Sequence, residues 1–186
     1  MIQNSLEKFK WGFFFIMLGI RIQGFDILPD IIGYLFFAFG LNSLRPISKF
    51  FVKASWFNLP MIFLSIFSIY QAPAHEEGIR LGPLGGIGII ISIASFVLNL
   101  LTIYNLFMGI KELEESRQNL ILASESERMW NNYLLLEIAV LFSLIAIVIP
   151  IIGIFYIFII IIAAIVVLIR IIRFLNECID SLNQVP

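Results

Sequence analysis

Apolar residues occupy most of the chain in six blocks, with polar residues gathered at the breaks between them. The blocks predict helices over about residues 6–23, 27–44, 55–71, 85–110, 125–149 and 154–175. Several of these runs approach or exceed the roughly 17–25 residues that cross a bilayer as helix. The expected fold is therefore all-α: a single-domain, polytopic transmembrane bundle of six helices over residues 1–186. Thirty-odd apolar residues surround Pro150–Gly153, too many for one span at about 1.5 Å each, so a tight turn is expected there.

The breaks carry their own signals. Gly24-Phe25 forms the expected first turn, with Asp26 as N-cap of helix 2 and Pro29 in its first turn, where a missing N–H costs little. Residues 47–54, ISKFFVKA, mix lysine with phenylalanine and suggest a short interfacial segment. Residues 72–86 form a long loop holding His75, Glu76 and Glu77. In the charged segment after Ile110, a break is expected near Asn119. A new helix start is expected at Ser124, whose spacing to Glu127 matches a capping box.

Composition sharpens the class. Hydrophobic residues make up 60% of the chain, charged residues 13%, and mean hydropathy is +1.00. Soluble domains carry about 25% charged residues. The apolar bulk leaves no room for a soluble catalytic module, and a net charge of −1 gives no footprint for nucleic acid. Cys178, the one cysteine, cannot build a disulfide or a multi-cysteine metal site within the chain. Lys8 and Lys10 before an apolar run resemble a signal sequence. That run ends at Arg21 without a small-residue cleavage site, so an uncleaved first helix is expected.

Ten of the twelve Lys and Arg fall on the N-terminus, the 45–53 loop, the 111–132 segment and the C-terminal end. The other side holds Arg21 and Arg80. The positive-inside rule places both termini in the cytoplasm. Segments 40–44, 109–113 and 178–182 recur at a spacing of 69 residues, each at the same end of an even-numbered helix. The spacing fits three tandem hairpins, although identity elsewhere at this offset is poor.

Charged and amide groups inside apolar spans are the candidate chemistry. Arg21, Asp26 and Asp30 sit at the outer mouth of the first hairpin. They read either as a cation or proton site or as an N-cap, a dipole-matched acid and an ion pair. Glu137 is the acid most deeply committed to a span. Arg170 is expected about one turn below it, with Asn105 as a third member of a pair or relay. On helix 4, Gly85, Gly88, Ser92, Ser95, Asn99 and Thr102 share one face, as in a close-packing seam or a polar pathway. His75 with Glu76 and Glu77 is a poor metal set, and no metal or cofactor is expected. No nucleophile or metal-protease motif is present, so no enzymatic activity is expected.

The segment Phe25-Asp26-Ile27-Leu28-Pro29-Asp30-Ile31-Ile32-Gly33-Tyr34 resembles a pattern in small multi-pass membrane proteins of Gram-positive bacteria. That resemblance implies a bacterial plasma-membrane protein and carries no activity or ligand. Two functions stay open. One is a non-enzymatic subunit, scaffold or regulator, docking a membrane or cytoplasmic partner through residues 111–132. The other is a small transporter or channel using intramembrane carboxylates. Convergence of Asp30, Asn99 and Glu137 on one water-accessible cavity would favour the second, and a dry, closed seam would favour the first.

Overall fold

The computed structural model describes residues 1–18, 21–22, 25–26, 30–66, 85–146 and 150–183. Six helices make up nearly all of it: α1 (Ile2–Met17), α2 (Asp30–Leu44), α3 (Lys49–Ile66), α4 (Gly85–Ser116), α5 (Leu120–Ala146) and α6 (Pro150–Asn183). Between α1 and α2, strands β1 (Arg21–Ile22) and β2 (Phe25–Asp26) pair antiparallel, with Arg21 opposite Asp26. This pairing corrects two expectations. Helix 1 stops at Met17 rather than near Gln23, and Asp26 belongs to a strand rather than capping α2, which starts at Asp30.

Each helix packs on the next in sequence, and α6 returns to α1, which closes the bundle into a ring. Phe13 lies at its centre. Its ring is 5.1 Å from Phe37 of α2, 5.5 Å from Phe107 of α4 and 6.3 Å from Tyr133 of α5. Phe107 in turn meets Phe174 of α6 at 6.3 Å, and Phe9 meets Phe51 of α3 at 6.5 Å. One aromatic cluster therefore joins all six helices, and these side chains are fully buried. Edge-on and offset contacts of this kind add about 0.5–1.5 kcal/mol each beyond their buried area.

Glycines let α1 and α2 pack closely. A Cβ on Gly33 would lie 2.8 Å from the carbonyl oxygen of Gly12, so α1 and α2 cross backbone to backbone there. Gly40 and Gly109 do a related job: each seats a phenylalanine from the preceding helix, Phe9 and Phe51. These two glycines stand at equivalent places in the 69-residue spacing, and Cys178 at the third is buried.

The helix ends explain the remaining shifts. Ser48 accepts a hydrogen bond from the Phe50 backbone N–H at 3.0 Å and donates to the Glu112 carboxylate. It therefore caps α3, and the segment expected to be interfacial forms that helix's first turns. Pro60 falls inside α3 rather than near its start. The break at Asn119 is where it was expected, but α5 starts at Leu120, not beyond Ser124. Asn119 Oδ1 accepts from the Leu122 N–H at 3.3 Å, the N-cap geometry. The Ser124 hydroxyl instead donates to the Ile121 carbonyl at 2.8 Å. α4 ends in a left-handed residue, Gln118 with φ 60°. The Asn119 N–H reaches the Glu114 carbonyl at 2.9 Å and the Gln118 N–H the Glu115 carbonyl at 2.9 Å, a Schellman closure. Pro150 opens α6, where its fixed φ suits a first turn, and so does not make the turn expected of it.

The end of the ring that holds the termini is tied by ions. Glu114 is fully buried, and Arg117 Nη1 reaches both its carboxylate oxygens, at 3.3 and 3.4 Å. The same guanidinium donates to the Ser181 hydroxyl at 3.1 Å and to the Ser181 carbonyl at 2.9 Å, fastening α4 to α6. Lys111 pairs with Glu127 at 2.7 Å, and Lys10 of α1 donates to Asn176 of α6 at 2.7 Å.

Among the described residues, two stretches are long and apolar enough to cross a membrane: Ile90–Ser116 in α4 and Ile151–Asn183 in α6. α2 is apolar but shorter. Only 11% of the most apolar part of α6 is buried. Its Ile151, Ile154, Phe155, Phe158 and Ile162 all stand outward. Contiguous apolar surface on this scale marks contact with something other than water.

Candidate functional site

Asn99 lies at the junction of three helices. It is polar in an apolar run of α4, so its amide must find partners or incur several kcal/mol of desolvation. All of its bonding groups are engaged. The Tyr34 hydroxyl of α2 donates to Asn99 Oδ1 at 3.1 Å. Asn99 Nδ2 donates to the Tyr133 hydroxyl of α5 at 2.8 Å and, more weakly, to Glu137 Oε1 at 3.4 Å. Tyr34, Asn99 and Tyr133 are buried and Glu137 is half-buried. α3 joins through Asn58, whose Nδ2 donates to the Tyr34 carbonyl at 2.9 Å. Asn58 Oδ1 is buried with no partner among the described residues.

One side of this network opens on a cavity of about 200 Å³ between α2, α3 and α4. Asp30, Tyr34, Met61, Ser65, Ser95 and Asn99 line it, with Leu64 and Phe96 as further apolar wall. Asp30 begins α2, so the cavity lies toward the end of the ring opposite the termini. The hydrogen bonds then run from Tyr34 in the cavity wall through Asn99 to Tyr133 and Glu137. Glu137 does not line the cavity; the Asn99 amide stands between them.

The candidate residues thus separate into groups. Asp30 and Asn99 share the cavity, and Glu137 joins Asn99 from behind. The side chains of Arg21 and Asp26 lie outside the described residues, as do His75, Glu76 and Glu77. Asn105 Nδ2 is turned to its own helix, donating to the Leu101 carbonyl at 2.7 Å, and takes no part.

The expected Glu137–Arg170 pair is not formed. The Tyr156 hydroxyl donates to the Ala139 carbonyl at 2.8 Å, so Tyr156 stands level with Ala139 and sets the register of the two antiparallel helices. Arg170 is then level with Glu125, twelve residues along α5 from Glu137, or about 18 Å at the helical rise. It lines a second groove with Glu125 and Arg173.

The α4 stripe is also divided. Thr102 and Asn99 are buried and Ser95 lines the cavity, whereas Ser92 is exposed. Gly85 and Gly88 lie outside the described side chains. Tyr34, Tyr133 and Asn58 were missed as site residues. The signal was there: a tyrosine or asparagine within an apolar span must place its polar atom on a partner. Among the described residues, no three His, Cys, Asp or Glu side chains are grouped to hold a metal ion. No protein-family model, curated protein or solved structure matches the chain.

Proposed function

We propose that the chain is a six-span bacterial plasma-membrane protein, with both termini cytoplasmic, that moves protons or a small cation through the Asp30–Asn99 cavity. The carrying observation is that Asp30 and Asn99 line one cavity while Glu137 is hydrogen-bonded to the same asparagine. A carboxylate, two serine hydroxyls and a tyrosine hydroxyl are oxygen donors suited to replace water around a cation of modest size. An inner carboxylate one hydrogen bond further on gives the charge its next station. The broad apolar faces of α4 and α6, and the basic residues gathered at the end with the termini, support the membrane setting.

The scaffold reading retains one specific support: the Asn99 amide is fully bonded between helices, as a purely structural seam would be. Flux measurements separate the two. Purified protein in liposomes, under an imposed membrane potential, is expected to pass protons or a small monovalent cation faster than protein-free liposomes. Asp30→Asn and Glu137→Gln are each expected to lower that flux about tenfold or more while the protein stays folded. No flux above protein-free liposomes for protons, sodium, potassium or methylammonium would end the transport reading in favour of the scaffold.

A further inference from the structure

We infer that the groove between α5 and α6 at the end holding the termini binds the phosphate headgroup of an anionic phospholipid. The inference rests on the membrane setting proposed above and is independent of transport. The groove has a volume of about 340 Å³ and is lined by Arg128, Arg170, Arg173, Glu125 and Glu177, with Met129 and Phe174 as apolar lining. Arg173 Nε is 3.2 Å from Glu177 Oε1, one turn away on the same helix. Against the two carboxylates stand three guanidinium groups, which leaves the groove net positive. Guanidinium forks match phosphate oxygens two at a time, which ammonium groups do not.

Position identifies the source of the phosphate. From Pro150 to Ile169, α6 has twenty residues without a charge, about 30 Å of helix and the thickness of a hydrocarbon core. Arg170 is the first charge after that stretch, at the level where lipid phosphates begin. Arg128 on α5 falls within a turn of the same level by the hairpin's mirror symmetry. Directly above, Ile162, Ile165, Val166 and Ile169 are exposed. An acyl chain can lie along them while its headgroup meets the arginines. Basic pockets between helices on the cytoplasmic side hold anionic headgroups in this way. A free phosphate would have only the open, partly acid-lined groove and none of the apolar contact.

The test uses the whole protein in mild detergent, after an alkaline carbonate wash has checked that it stays in the membrane fraction. Release by that wash would sink the membrane reading itself. Native mass spectrometry then follows titration with phosphatidylglycerol and with phosphatidylcholine of the same acyl chains. Phosphatidylglycerol is expected to bind at concentrations about tenfold lower. Arg128→Gln with Arg170→Gln should remove the preference, since a loss of roughly fivefold per arginine, taken twice, exceeds the tenfold difference. Glu125→Gln, which removes an acid from the groove, should tighten binding. Lys53→Gln, an exposed basic residue on α3, should change nothing, and millimolar inorganic phosphate should not displace the lipid.

Equal binding of the two lipids overturns the inference. So does a loss with Lys53→Gln as large as with the arginine pair, which would mean general surface charge. Displacement by phosphate would make this a free-anion site and not a lipid site. If the double arginine variant does not fold, Glu125→Gln decides, and no gain there refutes the site.

Discussion

Removing the Asn99 amide would leave Tyr34, Tyr133 and Glu137 each one hydrogen bond short, and the Tyr133 hydroxyl, buried behind the cavity wall, would have no replacement partner. Interhelical hydrogen bonds of this kind are worth about 0.6–2 kcal/mol each and share partners when one is lost. Asn99→Leu should therefore destabilise the protein by about 2 kcal/mol, read as unfolding in mixed detergent micelles. Tyr133→Phe should cost less, since Asn99 keeps Tyr34 and Glu137. Gly33 acts by absence of atoms. A methyl at this position would meet the Gly12 carbonyl oxygen at 2.8 Å, and backbone cannot swing aside as a side chain can. Gly33→Ala should destabilise by about 1–3 kcal/mol through forced separation of α1 and α2. An unchanged unfolding midpoint would mean that the crossing is looser than described.

At the scale of elements, the α4–α5 turn is the most sharply specified connection. Asn119 caps α5, and its replacement by alanine should cost about 1 kcal/mol. Gln118 sits at φ 60°, where a side chain is strained, so Gln118→Gly should leave stability unchanged or raise it by up to about 1 kcal/mol. Thermal melts of the two variants should move apart; a shared downward shift would contradict the Schellman closure.

The same elements tell how far the sequence was readable. Apolar periodicity located every helix, because each run is long and bounded by polar breaks. Boundaries moved where a local bond or pairing outweighed hydropathy. Ser48 starts α3 six residues before the apolar run suggests, and the Arg21–Asp26 pairing ends α1 early. Asn99 was legible as a polar residue needing partners on helix 2, 3 or 5, and it found them on α2 and α5. Which groups they would be was not, since tyrosines merge with the apolar background in which they lie. The Glu137–Arg170 pairing failed on register: a turn expected at Pro150–Gly153 shifts the facing helix by about two turns from the level that Tyr156 and Ala139 share.

For the whole molecule, the ring of helices gives the chain two chemically different ends. One carries ten of the twelve basic residues, the buried Glu114–Arg117 lock and the arginine groove. The other carries Asp30 and the cavity it lines. Transport through this cavity requires that it admit water from the side opposite the termini. Cysteine accessibility in intact cells tests it most directly, with the buried Cys178 replaced by alanine as background. A membrane-impermeant thiol reagent added outside should label Ser95→Cys in the cavity wall. It should fail to label Thr102→Cys, which is fully buried two turns below. It should reach Leu120→Cys at the exposed α4–α5 turn only after the cells are permeabilised. Labelling of Leu120→Cys from outside would contradict the orientation. Protection of Ser95→Cys from both sides would mean a dry seam, and the cavity would then have no part in transport.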